Sequence, residues 1–167
     1  MPLIRVEGGK PGLANDIFTT VADDAALPDS GGAIVSLARF TKERESLLAR
    51  NAPIGVRLKS SESPEVLGVD VQRLSVVAIE FPAFGDGRGF SWARMLRTRL
   101  GFTGEVRAVG KFIYVQIAHQ KRVGFDAWEL PDGVTLEQFH GALGEITNPY
   151  QPSADGKKTI RELRAGK

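Results

Sequence analysis

The chain has 167 residues, 42% hydrophobic and 25% charged, with a formal net charge of only +2, which suits one globular domain with a sizeable core. Cysteine is absent, so disulfides, thiol redox chemistry and cysteine-held zinc or iron–sulfur centres are excluded within this chain. No apolar run is long enough for a bilayer, and Arg5, Glu7, Lys10 and Asp16 interrupt any signal segment, so the chain reads as cytoplasmic with no membrane partner.

Residues 1–31 read as a loosely structured lead-in with a short edge strand at Leu3-Ile4-Arg5-Val6. An α/β domain is expected over 32–147. Its first strand is Ala33-Ile34-Val35-Ser36-Leu37, and Thr41 is placed to cap the following helix, with Glu43 and Glu45 in its first turn. Ile54–Leu58 is the second strand. Ser63-Pro64-Glu65 opens a helix with a capping hydroxyl, a proline and an acid, and Val66, Leu67, Val69 and Leu74 supply its buried side. Val76–Phe81 is apolar enough for a strand covered on both faces, and the next helix runs from about Phe90 to Leu100, stopped by Gly101. Val106–Val109 is the fourth strand, with a helix over Lys111–Val123. Phe125–Leu130 is the fifth, and Thr135-Leu136-Glu137-Gln138 is a capping box for a last helix reaching about Gly144.

Five βα units in strict alternation predict a single domain with a mainly parallel sheet, either open and doubly wound or curled like part of a barrel. Residues 148–167 read as a basic, flexible tail, because Pro149, Pro152 and Gly156 oppose regular structure.

The small net charge hides blocks. Residues 81–124 carry 8 basic and 2 acidic side chains, 125–154 carry 5 acidic and no basic ones, and 155–167 carry 5 basic and 2 acidic. Such an excess concentrates an anionic ligand without implying a nucleic-acid partner. The same blocks also suit an ordinary solvated surface.

Ligands of parallel α/β folds sit beyond the C-terminal ends of the strands, where the loop Gly85-Asp86-Gly87-Arg88-Gly89 falls. Its glycines leave room for a ligand, the following helix offers free N–H groups, and Arg88 adds a planar cation. Ser91 either caps that helix or binds a ligand, and Asp86 either orients Arg88 or caps the turn. The spacing matches neither the dinucleotide fingerprint nor a phosphate-binding P-loop. Arg107 and Lys111 flank the next strand-to-helix junction and join the candidate site if the two junctions are neighbours. Alternatively, Arg107 points into a neighbouring helix. The candidate anion site is therefore Asp86, Gly87, Arg88, Gly89, Ser91, Arg107 and Lys111. Glu80 and Glu129, at strand ends, are the candidate general bases. His119 and His140 have no metal-ligand spacing, and no catalytic residue or cofactor is assigned.

The run FPAFGDGRGFSWARMLRTRLGFTGEVRAVG, continued by GFDAWEL at 124–130, resembles the bacterial DUF934 family. The resemblance covers about Ile34 to Leu130. It is most specific at Phe81–Gly101, which follows FPxFxDGRG, an aromatic residue and SxARxLRxRxG, and at the RAVG of 107–110. It implies a protein linked to sulfite reduction and described as an oxidoreductase, because members tend to be encoded near sulfite reductase. After RAVG the family continues D-V-L-x-D-Q, whereas this chain has Lys111, Phe112, Ile113, Tyr114, Val115 and Gln116. Lys111 and Val115 thus replace two acids, which favours an anion over a metal. Two functions follow as expectations: an oxidoreductase or enzyme component of assimilatory sulfite reduction that binds a small oxyanion or anionic cofactor, or a non-catalytic accessory protein that docks on a sulfite reductase component.

Overall fold

The N-terminal residues form two antiparallel strands, β1 (Leu3–Glu7) and β2 (Lys10–Ala14), followed by the short β3 (Phe18–Thr20). Five strand–helix units then succeed one another in a computed structural model that describes residues 2–8, 10–145 and 147–166. They are β4 (Gly32–Ser36) with α1 (Leu37–Leu48), β5 (Ile54–Leu58) with a 3-10 segment (Pro64–Arg73), β6 (Val76–Phe81) with α2 (Arg88–Thr98), β7 (Glu105–Gly110) with α3 (Tyr114–Val123), and β8 (Ala127–Glu129) with α4 (Leu136–Gly144). A short α5 (Ile160–Ala165) closes the described chain. No described helix is long and apolar enough to cross a membrane.

All eight strands belong to one sheet of order β2-β1-β8-β7-β6-β5-β4-β3. Strands β3 to β8 are parallel and lie side by side in chain order, while β1 pairs antiparallel with β8. A doubly wound sheet reverses its strand order at a switch point. This one does not, so right-handed crossovers carry every helix to the same face. The sheet is a half-barrel, larger than five βα units. The lead-in contributes three strands to it, and the expected edge strand at Leu3 is internal, flanked by β2 and β8.

Alternation along each strand separates the two faces. Val56, Leu58, Val77, Ile79, Phe81, Val106, Ala108 and Trp128 point to the helices and are buried. Phe40, Leu47, Ala93, Leu96, Ile117 and Phe139 meet them there. Trp128 keeps its indole N–H satisfied by donating to Gln120 Oε1 at 2.9 Å. The concave face carries Ile34, Val76, Ala78 and Val109 together with Arg57, Glu80, Glu105, Arg107 and Glu129.

Several local expectations shift for identifiable reasons. Helix α1 starts four residues before Thr41, because Ser36 Oγ accepts the Arg39 N–H at 3.0 Å; Thr41 instead donates to the Leu37 carbonyl. Ser63 does cap, but the segment after it winds as 3-10 and is interrupted at Gly68, with φ of 52°. Val66 and Val69 consequently face solvent, leaving Leu67, Val71 and Leu74 to the core. Both arms of the Thr135–Gln138 capping box form. In the tail, Arg122 of α3 pairs with Asp155 at 3.0 Å and donates to the Gln151 carbonyl at 2.7 Å, and Thr159 caps α5.

Candidate functional site

The C-terminal ends of β5, β6, β7 and β8 form a rim, with the loop from Pro82 to Gly87 at its middle. Gly87 is the N-cap of α2 and makes no side-chain capping bond. Asp86 takes over that role: its Oδ1 accepts the Arg88 backbone N–H at 3.2 Å and Nε–H at 3.0 Å, and its Oδ2 accepts Nη2–H at 2.7 Å. Arg88 Nη2 also donates to Ser60 Oγ at 3.0 Å, and Trp92 donates to the Ser60 carbonyl at 2.9 Å. The loop is thereby pinned towards β5. The hydrogen bonds from Arg88 first, and Ser60 second, hold the Asp86 carboxyl well below the usual carboxylate range. Arg88 remains more than half exposed, and its Nη1 has no partner among the described residues.

The glycines of this loop have a different purpose from the one their spacing suggests. None has a positive φ. A Cβ on Gly89 would stand 2.8 Å from the Phe81 ring and 3.1 Å from Ile79 Cγ2, so this glycine lets α2 lie close on β6. A Cβ on Gly85 would meet nothing within 4 Å, and one on Gly87 only Phe90 Cδ2 at 3.8 Å. Ser91 lies inside α2, past the cap position, and is exposed.

On the other side of the loop, towards β7 and β8, lies an open depression of about 630 Å³ walled by Phe84, Phe112, Ile113 and Pro131, with Lys111 and Asp132 at its polar margin. Gly110 shapes it. With φ of 98° it turns the chain where a Cβ would meet the Phe81 carbonyl oxygen at 2.5 Å, and the Lys111 N–H donates to that same carbonyl. Gln116 ties the two loops together, accepting the Ile113 N–H at 3.1 Å and donating to the Phe84 carbonyl at 3.2 Å. Lys111 is exposed and has no ion-pair partner among the described residues. Phe84, Ile113, Tyr114 and Val115 are 57%, 39%, 42% and 47% exposed, an apolar margin around the depression.

Arg107 lies elsewhere. It points from the middle of β7 into the concave face, 1% exposed, and its guanidinium meets Asp16 at 2.7 and 3.0 Å, Glu105 at 2.7 Å and Glu129 at 3.2 Å. Asp86, Gly87, Arg88, Gly89 and Ser91 therefore share one loop and helix turn, Lys111 lies across that loop, and Arg107 has a separate set of partners. Glu80 and Glu129 do face the same side of the sheet, but Glu80 pairs with Arg57 at 3.3 Å and Glu129 with Arg107. Arg97 is a strut: it donates to the carbonyls of Phe102, Gly104 and Gly124 and pairs with Asp126. His119 packs against Phe90, and burial pushes its pKa down. Among the described residues, no group of three or more histidine or acidic side chains is placed to hold a metal ion.

Sequence reasoning missed Ser60, Phe84 and Asp16. Only Phe84 left a signal, as an aromatic beside a glycine at a strand end.

A family model described as "Bacterial protein of unknown function (DUF934)" matches residues 55–161. The chain belongs to this family. The DUF934 span starts at the beginning of β5 and runs into α5, so it includes the rim loops and the segment docked on Arg122, and it both starts and ends later than Ile34–Leu130. Strands β1 to β4 lie outside it. No curated protein and no solved structure matches the chain.

Proposed function

We propose that this DUF934 chain is a cytoplasmic component of assimilatory sulfite reduction. It binds an anionic ligand at the rim between the Gly85–Ser91 loop and the Gly110–Ile113 loop. The observation that carries this reading is the depression itself: an apolar wall of Phe84, Phe112, Ile113 and Pro131, with Asp132 and Lys111, which has no ion-pair partner among the described residues, at its margin. An apolar wall beside Lys111 suits a ligand with a planar body and a negative group, and Asp132 on the same margin disfavours a bare oxyanion, so an anionic cofactor fits better. The resemblance to proteins encoded near sulfite reductase supports the pathway. The reading is one of binding, and an oxidoreductase role would draw its redox chemistry from the ligand held there.

A thermal-shift panel at fixed ionic strength tests this, with sulfite, sulfate, adenylyl sulfate, FMN, FAD and NADPH as probes. The expected result is saturable stabilisation by a ring-bearing anion, worth about 2.7 kcal/mol at a hundredfold excess over Kd, and its loss in Lys111→Ala. A flat response, or one unchanged by Lys111→Ala, rejects the site.

The exposed quartet Phe84, Ile113, Tyr114 and Val115 favours a second reading, in which the same rim docks on a sulfite-reducing enzyme. Removing Tyr114 and Val115 together would then abolish co-purification with that enzyme and leave ligand binding intact.

A further inference from the structure

Arg107, whose guanidinium meets three carboxylates, has one partner unlike the others. Arg107 receives Glu105 from its own strand and Glu129 from the adjacent one, both within the family-matched span. The third carboxylate, Asp16, comes from the three-residue link Asn15–Ile17 between β2 and β3, which lie at opposite edges of the sheet. That link places Asp16 against Arg107 on the concave face, and it lies outside the matched span.

Asp16 meets Arg107 in two parallel contacts, Oδ2 with Nη1 at 2.7 Å and Oδ1 with Nη2 at 3.0 Å. This fork-on-fork arrangement is how guanidinium groups take up ligand carboxylates. Among the described residues Nη2 has no other acceptor. The Phe18 ring lies 5.8 Å from the guanidinium carbon and closes one side of the niche.

The link itself is exposed but anchored at its end, where the Ile17 carbonyl accepts the Gly32 N–H at 2.9 Å and Asp16 Oδ1 accepts the Phe18 N–H at 3.0 Å. Ile17 is 56% exposed, β3 has three residues, and the Asp16 side chain is 30% exposed although Arg107 beneath it is 1% exposed. A solvent-reachable carboxylate on a thin strap thus completes the coordination of a buried cation.

We propose that Arg107 heads a carboxylate-binding site on the concave face, which Asp16 occupies as an internal ligand and an external carboxylate takes when the strap lifts. The site is distinct from the rim: the ligand enters from the Asn15–Ile17 side and replaces one negative group by another, so the charge balance around Arg107, Glu105 and Arg5 is preserved. Apparent affinity in the unaltered chain is reduced by the fraction of molecules whose strap is lifted.

Chemical rescue in the full chain tests the proposal, with sodium acetate as probe against sodium chloride at equal ionic strength. Asp16→Ala is expected to have a lowered Tm that acetate raises saturably, at an apparent Kd at least about tenfold tighter than for the unaltered chain. The same gain is expected in Asp16→Ala combined with Lys111→Ala, which separates this site from the rim. Asp16→Ser, whose shorter side chain also vacates the niche, provides the same comparison if the alanine variant does not fold. Equal responses of variant and unaltered chain to acetate overturn the proposal, as does a gain that disappears with Lys111→Ala. A gain of Asp16→Ala over the unaltered chain that is larger with sulfate than with acetate overturns the assignment of a carboxylate.

Discussion

The two faces of the sheet are built from the same strands by opposite means. On the helix-covered face, Val77, Ile79, Phe81, Val106 and Ala108 need only be apolar and of the right size, and helices from four crossovers cover them. On the concave face, β5 to β8 present Arg57, Glu80, Glu105, Arg107 and Glu129, whose charges must be matched one by one. Apolar burial is non-directional and can be satisfied by nearby segments. A buried charge demands a particular partner at hydrogen-bond distance. The concave face therefore recruits Arg5 and Asp16 from the far end of the chain, at 100 and 91 residues' separation from their partners.

Replacing Arg107 by leucine breaks this contrast most severely. It leaves Asp16, Glu105 and Glu129 facing one another with only Arg5 nearby, and urea unfolding should show a loss of roughly 3–5 kcal/mol. A loss below about 1 kcal/mol would mean that the network behaves like surface pairs, and the contrast between the faces would fall. Next in size is Gly89→Val on the helix side. It forces α2 away from Phe81 and Ile79 and should cost about 1–3 kcal/mol, whereas Gly87→Ala, with its nearest neighbour at 3.8 Å, should change little.

Acid titration sharpens the comparison further. Burial raises the Asp16 carboxyl, but the hydrogen bonds from Arg107 and the Phe18 N–H, with the Arg107 charge, outweigh it and leave its pKa lowered. The pKa of Asp86 is lowered too, by Arg88 and Ser60. Their contribution is fully present above the unfolded carboxylate value of about 4 and is lost as pH falls through the lower folded values. Asp126 acts in the opposite sense, its pKa raised chiefly by burial against the pull of Arg97, so variants must be compared. Tm measured from pH 7 to pH 2 should fall less steeply below pH 4 in Asp16→Asn and in Asp86→Asn than in the unaltered chain. Parallel profiles would remove both carboxylates from the acid transition. Arg88→Ala should have the smallest effect, a slight fall in Tm at pH 7 that fades as pH drops below 4, because it removes the bonds that hold Asp86 ionised while its guanidinium is largely in solvent. A large drop there would make the Asp86–Arg88 pair a structural lock.

The parallel strands β4 to β8 were legible because each is a short, nearly continuous apolar run, and because Gly101, Gly124 and the Thr135 capping box mark helix ends by local chemistry alone. Strands β1 to β3 were much less so. KPGLA contains a proline and a glycine that disfavour strands, and β1 is stabilised by pairing Leu3 with Glu129 and Ile4 with Trp128. The same limit hid the Asp16–Arg107 pair, since nothing near Asp16 indicates a partner 91 residues away. At the rim, GDGRG correctly marked a special loop. The sequence nevertheless did not reveal that Gly89 serves close helix packing, or that Asp86 turns Arg88 towards Ser60.

The pairing of β1 with β8 also gives the chain a temporal asymmetry. During synthesis the ribosome releases β1 and β2 before any of the parallel strands exist, and their anchoring neighbour β8 follows more than a hundred residues later. The parallel crossovers are local and can dock in the order of their release, whereas the amino-terminal hairpin must wait with its outer edges bare. Assembly from β3 towards β8 would therefore end with that hairpin closing the far edge. In pulse-labelled hydrogen exchange during refolding, the amides of β1 should gain protection after those of β6 and β7. Simultaneous protection would show instead that the long-range pairing forms with the nucleus.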